Sequence, residues 1–357
     1  MGSGWGDKVK VSIFGESHGT AIGVVIDGLP SGVKIDMDEV YAQMARRAPG
    51  NDRTATPRKE SDTPHILSGM LDNVTTGAPL AAVIQNTNTR SKDYGNIMNA
   101  PRPGHSDYTA YLRYEGFNDV RGGGHFSGRL TANMVFAGAI IRQILQKKGI
   151  DIAAHIYSIG EACDEPFEPT GISDELISRL NKEKFALIDT SREDALRSVV
   201  SDAAAKGDSV GGVVECIIQG MPAGVGNPMF GGVENVISSV VFGVPAVKGI
   251  EFGSGFEGSK MRGSQNNDEF FYDENGKVRT RTNNHGGALG GITSGMPIVF
   301  RAAIKPTASI SIEQNTVDLT KAENTTLSVK GRHDPCIVTR AVSVIEAAAA
   351  IAAINLI

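Results

Sequence analysis

Histidines and arginines set in glycine- or proline-bounded turns are the residues of this 357-residue chain best suited to chemistry. His18 lies in Gly15-Glu16-Ser17-His18-Gly19, and His105 in Arg102-Pro103-Gly104-His105. His125 follows Gly122-Gly123-Gly124, and His333 stands between Arg332 and Asp334. Such turns present side chains rather than bury them, and imidazole gives or takes a proton near neutrality. Arg46, Arg47, Arg53, Arg102, Arg121, Arg129, Arg332 and Arg340 occupy the same segments. In a chain of net charge −5, this clustering points to a small ligand with phosphate or carboxylate groups, which guanidinium binds bidentately. Solvated helix faces explain many arginines, but Arg129 and Arg332 adjoin glycine in turn-like contexts. The glycine run ends at Ser127-Gly128-Arg129 before a helix, a place where backbone N–H groups can cradle an anion.

Other chemistries fit less well. Residues 15–19 and 207–211 both match G-x-S-x-G, the nucleophile elbow of α/β-hydrolases, which requires a helix after the turn. Both are followed by strand-like apolar runs, so the glycines read as structural. Ser127 stands where a third dinucleotide-binding glycine belongs, and no P-loop pattern occurs. No two histidines have metal-ligand spacing and there is no C-x-x-C, so no metal is expected. Three cysteines, Cys163, Cys216 and Cys336, argue against a disulfide framework and for a reducing compartment. Net charge −5 and pI ≈ 5.9 give no general attraction to nucleic acid or an anionic membrane. The opening residues lack the apolar core of a signal peptide, and a cytoplasmic location is expected. The apolar run 337–357 contains Arg340 and Glu346 and reads as a buried core helix rather than a membrane span.

The elements that must position these residues follow a doubled plan. Laid without a gap over residues 207–224, residues 15–32 match at seven of eighteen positions. Both segments carry G-[DE]-S-x-G, an apolar run, then G-x-P-x-G. Shared Gly and Pro set backbone. Polar residues in one copy alone, such as His18 against Val210, are therefore the ones to suspect of function. Strands are expected at 9–14, 21–27, 66–70, 79–85, 212–219 and 296–304, with helices from Asp36 to before Pro49, and at 131–148, 192–206, 233–242 and 338–354. The polar stretch 86–118 shows no period, and 260–284 reads as a mobile loop. The economical architecture is a single α+β domain, internally duplicated over about 9–150 and 201–357, with two sheets packed on shared long helices.

Three segments together resemble the signatures of the chorismate synthase family. They are Phe14-Gly15-Glu16-Ser17-His18-Gly19 running to Gly32, Gly124-His125-Phe126-Ser127-Gly128-Arg129-Leu130-Thr131, and Gly331-Arg332-His333-Asp334-Pro335-Cys336 with Arg340-Ala341-Val342. Arg46-Arg47-Ala48-Pro49-Gly50, Arg102-Pro103-Gly104-His105-Ser106-Asp107-Tyr108 and Lys305-Pro306-Thr307 are similar too, in order along nearly the whole chain. The resemblance implies two antiparallel sheets sandwiching long helices, a homotetramer, and conversion of 5-enolpyruvylshikimate 3-phosphate to chorismate and phosphate with reduced FMN. NADPH enters as an indirect reductant, or directly in a bifunctional member. The resemblance places flavin contacts at His125, Phe126, Ser127, Ala246, Gly290, Lys305, Pro306, Thr307, Ala308, Ser309 and Arg332. It places pyridine-nucleotide contacts at Arg47 and Arg53; with Arg46 and Arg129 these are the expected substrate or NADP ligands, and His18, His105 and Asp334 are the expected catalytic residues. His18 is expected to protonate the departing phosphate, while His105 and Asp334 act on the flavin side. A polyanion-binding protein without catalysis would have no use for these three beside the arginines.

Overall fold

A computed structural model describes residues 2–50, 62–87, 99–329 and 334–357. The first part of the chain runs through β1 (Gly4–Trp5), β2 (Lys10–Gly15), β3 (Ala21–Asp27), α1 (Met37–Arg47), β4 (Pro64–Ser68), β5 (Met70–Leu71), β6 (Val74–Thr75), β7 (Leu80–Gln85), α2 (Asp107–Arg113) and α3 (Thr131–Gln146). The second runs through β8 (Asp151–Ile159), β9 (Ala162–Cys163), α4 (Asp174–Leu180), α5 (Glu193–Ala205), β10 (Gly212–Gln219), α6 (Val233–Val241) and β11 (Val247–Phe252). It continues with α7 (Gly255–Gly258), α8 (Gly263–Asn266), β12 (Phe270–Tyr272), β13 (Val278–Thr280), β14 (Ala288–Leu289), β15 (Ile292–Thr293), β16 (Ile298–Ile304), β17 (Gln314–Asp318), β18 (Glu323–Leu327) and α9 (Val338–Leu356).

The fold is α+β with antiparallel sheets. One five-stranded sheet has the order β1-β2-β3-β7-β4 and the other β11-β16-β10-β8-β9, and every pairing in both is antiparallel. Helix α3 touches β2 and β3 of the first sheet and β8 of the second, while α9 packs on α1, α3, α6, β8, β10 and β16. Both long helices are apolar on nearly every face, as befits interior helices. Where they cross, a Cβ on Gly138 would lie 2.5 Å from the Ala347 Cα, so only glycine permits the approach. Among the described residues, α9 alone is long and apolar enough to cross a membrane, yet 83% of its apolar window is buried inside the protein.

Local chemistry sets the ends of α1. The Asp36 carboxylate accepts from the N–H groups of Asp38 (2.9 Å) and Glu39 (3.3 Å), and Arg46 and Arg47 fill the last turn. The same turn chemistry recurs at two places. Thr75 donates Oγ1 to the Pro30 carbonyl (2.6 Å) and accepts from Val33 N–H (2.9 Å). Thr293 donates to the Pro222 carbonyl (2.6 Å) and accepts from Val225 N–H (2.8 Å).

Three expectations change. Residues 260–284 are not an irregular loop: they hold α8 and the β12–β13 hairpin. The hairpin base is tied by Asp268, which accepts from Thr282 Oγ1 and from the N–H groups of Asn284 (2.8 Å) and His285 (2.9 Å). The stretch 86–118 contains α2. Strand β8 is not among the expected strands, because the fully buried run 152–156 lacks the alternation that announces a half-exposed strand.

Candidate active site

Three glycine-bounded turns meet where the first sheet ends. The Ser17 N–H donates to the Gly124 carbonyl (3.0 Å), fastening the 15–19 turn to the 122–129 loop. Gly122 and Gly123 have φ of +65° and +108°. A Cβ on Gly122 would sit 2.3 Å from His18 Cε1, and one on Gly123 would sit 3.2 Å from His105 Cε1. The glycine run thus carries the two expected catalytic imidazoles close against its backbone, and a Cβ at Gly122 would have to displace the His18 ring.

His18 is buried, with Nδ1 3.1 Å from Ser17 Oγ. Ser17 donates its own proton to the Arg121 carbonyl (3.2 Å), so it accepts from Nδ1–H and fixes the ring. His105 is held by Asp107 and Arg102, with Nδ1 2.5 Å from Asp107 Oδ1. Burial pushes the Asp107 carboxyl up, but hydrogen bonds from Arg102 and His105 outweigh it and hold the group well below the usual carboxylate range.

The 102–107 turn also meets the segment after β16. Lys305 Nζ donates to the Gly104 carbonyl (3.0 Å), Arg102 Nη1 donates to Ser309 Oγ (3.0 Å), and a Cβ on Gly104 would lie 3.9 Å from that of Ala308. Ala246 accepts from Lys305 N–H (2.9 Å) with φ +75°, a left-handed backbone that a Cβ disfavours. Thr307 Oγ1 donates to the Asp334 carbonyl (2.9 Å), and a Cβ on Gly211 would lie 3.0 Å from Pro306. Burial and nearby Lys248 lower the Lys305 ammonium. His105, Lys305, Pro306, Thr307, Ala308, Ser309, Ala246 and Asp334 therefore form one connected group.

The arginines separate into two roles. Arg47 and Arg129, both buried, converge on the Asp62 carboxylate; Arg47 Nη1 to Oδ2 is 2.8 Å and Arg129 Nη1 bonds Oδ1. Arg47 also donates to Thr131 Oγ1 (3.1 Å) and the Gly128 carbonyl (2.8 Å), and Arg129 Nε donates to Asn86 Oδ1 (3.1 Å). Arg340 donates to the Arg47 carbonyl (3.0 Å) and bonds Asp334. Burial, with Arg340 and Arg129 adding to it against Asp62, lowers Arg47 to about 10. Among the described residues, three guanidiniums and two carboxylates meet here, a charged cluster suited to holding an anion.

Arg46 does not join them. One residue along α1 it points into the core, where Glu346 pairs with it at 2.6 Å. Its remaining donors go to Gln43 Oε1 (2.6 Å) and to the carbonyls of Leu180 (3.0 Å) and Glu183 (3.0 Å). All five N–H groups are engaged, so Arg46 is a structural residue and leaves the expected ligand set.

Of the remaining expected residues, His125 uses both ring nitrogens within the protein, Nδ1 toward the Gly15 carbonyl (2.8 Å) and Nε2 toward Ser3 Oγ (2.7 Å). Phe126 is partly exposed, its ring 6.1 Å from that of Tyr114. Ser127 accepts from Arg129 N–H (3.2 Å) and caps the turn that places Arg129. Gly290 sits at the tip of the β14–β15 hairpin with φ +61°, and no hydrogen bond among the described residues joins it to the cluster. Arg53 and Arg332 lie outside the described residues. Asp62 and Asn86 went unmarked in the sequence, and Asp107 stood in the family-like segment 102–108 without a role of its own. No group of three or more His, Cys, Asp or Glu suited to a metal occurs among the described residues.

The model of the chorismate synthase family matches residues 9–357. The chain belongs to the chorismate synthase family. It is 44% identical to the chorismate synthase of Dehalococcoides mccartyi, over 97% of this chain and 94% of the relative. It is 46% identical to that of Thermococcus kodakarensis, again over 97% and 94%. A crystal structure of a chorismate synthase superposes with a TM-score of 0.75, at 24% identity, over 99% of this chain and 92% of the other; at that identity it speaks for the fold alone.

The residues present fit the reduced flavin of this family. A partly exposed aromatic ring (Phe126), a half-buried ammonium (Lys305), hydroxyls on Thr307 and Ser309, and a glycine backbone approached by two imidazoles suit a planar, phosphate-bearing anion.

Proposed function

We propose that this chain is a carbon–oxygen lyase that converts 5-enolpyruvylshikimate 3-phosphate to chorismate and phosphate by 1,4-elimination with reduced FMN. The observation that carries this reading, within a chain of this family, is the placement of His18 and His105 against one glycine loop beside the Arg47–Arg129 pair. Arg47 and Arg129 attract the phosphate and carboxylates of the substrate, and their burial strengthens each charge-assisted contact. The C3–O bond breaks and the phosphate departs; His18, oriented by Ser17, gives it a proton from Nε2. The C6 proton is lost as the ring double bonds shift, so the elements of phosphoric acid leave with no net redox change. Reduced FMN, when bound, supplies an electron-rich ring and a basic nitrogen to this chemistry. His105 presents its imidazole to the flavin side of the site, and Asp334, held by Arg340, is the carboxylate stationed to take up a proton at its side-chain oxygens.

The working enzyme is a cytoplasmic homotetramer fed with flavin reduced elsewhere, NADPH serving only as a distant source of electrons. The test is anaerobic incubation with substrate and dithionite-reduced FMN. Chorismate and phosphate appear in equal amounts; no chorismate with reduced FMN saturating sinks the reading. Turnover with NADPH and oxidised FMN alone would overturn the external supply.

The chain also reads as an internal duplication. Strands β2-β3-β7-β4 correspond in order to β8-β10-β16-β11, Thr75 to Thr293, and α1 and α3 to α6 and α9. On this reading the second copy starts at β8, and α4 and α5 are inserted between its first two main strands. The site then lies where turns of both copies meet.

A further inference from the structure

Asp107 lies between Arg102 and His105 and spends its whole acceptor capacity on them. Oδ2 accepts from Arg102 Nε (2.7 Å) and from the Arg102 backbone N–H (3.0 Å). Oδ1 accepts from Arg102 Nη2 (2.8 Å) and from His105 Nδ1 (2.5 Å). Arg102 Nη2 and His105 Nδ1 are themselves 3.1 Å apart. Nη2 has only protons to offer and Nδ1 cannot both accept from it and donate to Asp107. The shorter contact decides: both nitrogens donate to Oδ1, and they are neighbours because they share it. Four acceptor positions are thus filled, and no lone pair of Asp107 remains for substrate or cofactor.

We propose that Asp107 is a positioning residue of the reaction: through its 2.5 Å contact it fixes the proton on His105 Nδ1 and turns Nε2 toward the reacting groups. This rests on the reading that His105 works in the site. The opposite side of the ring faces the glycine loop, since a Cβ on Gly123 would lie 3.3 Å from His105 Nε2. Among the described residues Nε2 has no hydrogen-bond partner, so the turn delivers one imidazole nitrogen, in one tautomer, into the site. Arg102 is the second anchor: Ser309 on the Lys305–Ser309 segment receives its Nη1 at 3.0 Å, so the carboxylate is aimed from two sides. Among the described residues, the charged groups around His105 are Arg102 and Asp107 on its own turn and Lys305 from the segment after β16.

Asp107→Asn separates this role from a merely structural one. Arg102 captures the amide oxygen, the amide NH2 is left facing Nδ1, and the imidazole proton is driven to Nε2. The first readout needs no flavin: proton–nitrogen correlation spectra of histidine-labelled protein, assigned with His105→Gln. The parent shows a low-field proton on His105 Nδ1; Asp107→Asn loses it and shows the Nε2–H form. The second is turnover with dithionite-reduced FMN. We expect kcat to fall ~10²–10⁴-fold, with KM for the substrate and Kd for FMN within about threefold of the parent. An unprotonated Nδ1 in the parent overturns the proposal even if the variant does not fold. So does parental kcat in Asp107→Asn, or a rise in KM with kcat unchanged, which would make Asp107 only an anchor for Arg102. If His105→Gln itself keeps full turnover, the reading of His105 falls, whereas the low-field proton still judges the contact.

Discussion

Replacing Gly122 by alanine tests the placement of His18 without touching a titratable group. The added Cβ would sit 2.3 Å from His18 Cε1, 2.4 Å from Nδ1 and 2.8 Å from Ser17 Oγ. Ordinary contact begins near 3.4 Å, so the imidazole has to retreat by about 1 Å, a displacement that costs on the order of 100-fold in turnover when it moves a reacting group. The backbone, at φ +65°, adds ~1–2 kcal/mol of strain for an L-residue. The expected enzyme is folded, destabilised by that strain, binds substrate with nearly parental KM, and turns over ~10²-fold more slowly. Chorismate formation would be followed anaerobically with reduced FMN, alongside a urea melt. Gly263→Ala is the control, because its Cβ meets nothing within 4 Å; it should lie within about twofold of the parent. Parental turnover in Gly122→Ala would show that the position of His18 against the glycine loop is irrelevant to the reaction.

Arg46→Ala and Glu346→Gln, which break the buried pair, should each cost ~3–5 kcal/mol in urea melts and leave substrate affinity unchanged; weakened binding with an unchanged melt would return Arg46 to the pocket. Burial raises the Asp62 carboxyl, but Arg47 and Arg129 hold it below its ordinary value. Its stabilisation is therefore present above about pH 4 and lost as pH falls through the lower folded value, and Asp62→Asn should flatten the acid limb of stability against pH. His155 lies buried between Asp164 and Glu215, 3.0 Å from each. Burial lowers its pKa, but the two carboxylates raise it further, so the stabilisation is full below about pH 6.5 and is lost as pH rises through the folded value. An alkaline limb equally steep in His155→Gln would disprove that assignment.

The sequence revealed elements where local chemistry acts alone. Asp36 and Pro49 bracket α1, and the turn glycines frame β3 and β10. Strand β8 escaped because a strand buried on both faces has no period to detect. The 260–284 segment looked mobile because its anchors, Asp268 and His285, act on neighbours seen only in the fold. In the site, His18 and Arg129 were marked by their glycine neighbours, whereas Asp62 shows its role only through two arginines that the chain brings together from different elements. Arg46 and Arg47 are identical in type and adjacent. Only the ~100° step of a helix sends one into the core and the other into the site, and that rotation has meaning only once α9 is in place.

The close crossing of α3 and α9 bears on how the protein is made. Gly138 of α3 and Ala347 of α9, which meet at the crossing, are about 200 residues apart in sequence, and at ~5–20 residues per second a ribosome needs roughly 10–40 s to span them. For that interval α3, apolar on nearly every face, has no α9 to cover it. The nascent first half is therefore a natural client for a holding chaperone. Chains arrested before α9 should leave α3 open to protease, and release of the full chain should close it in one step.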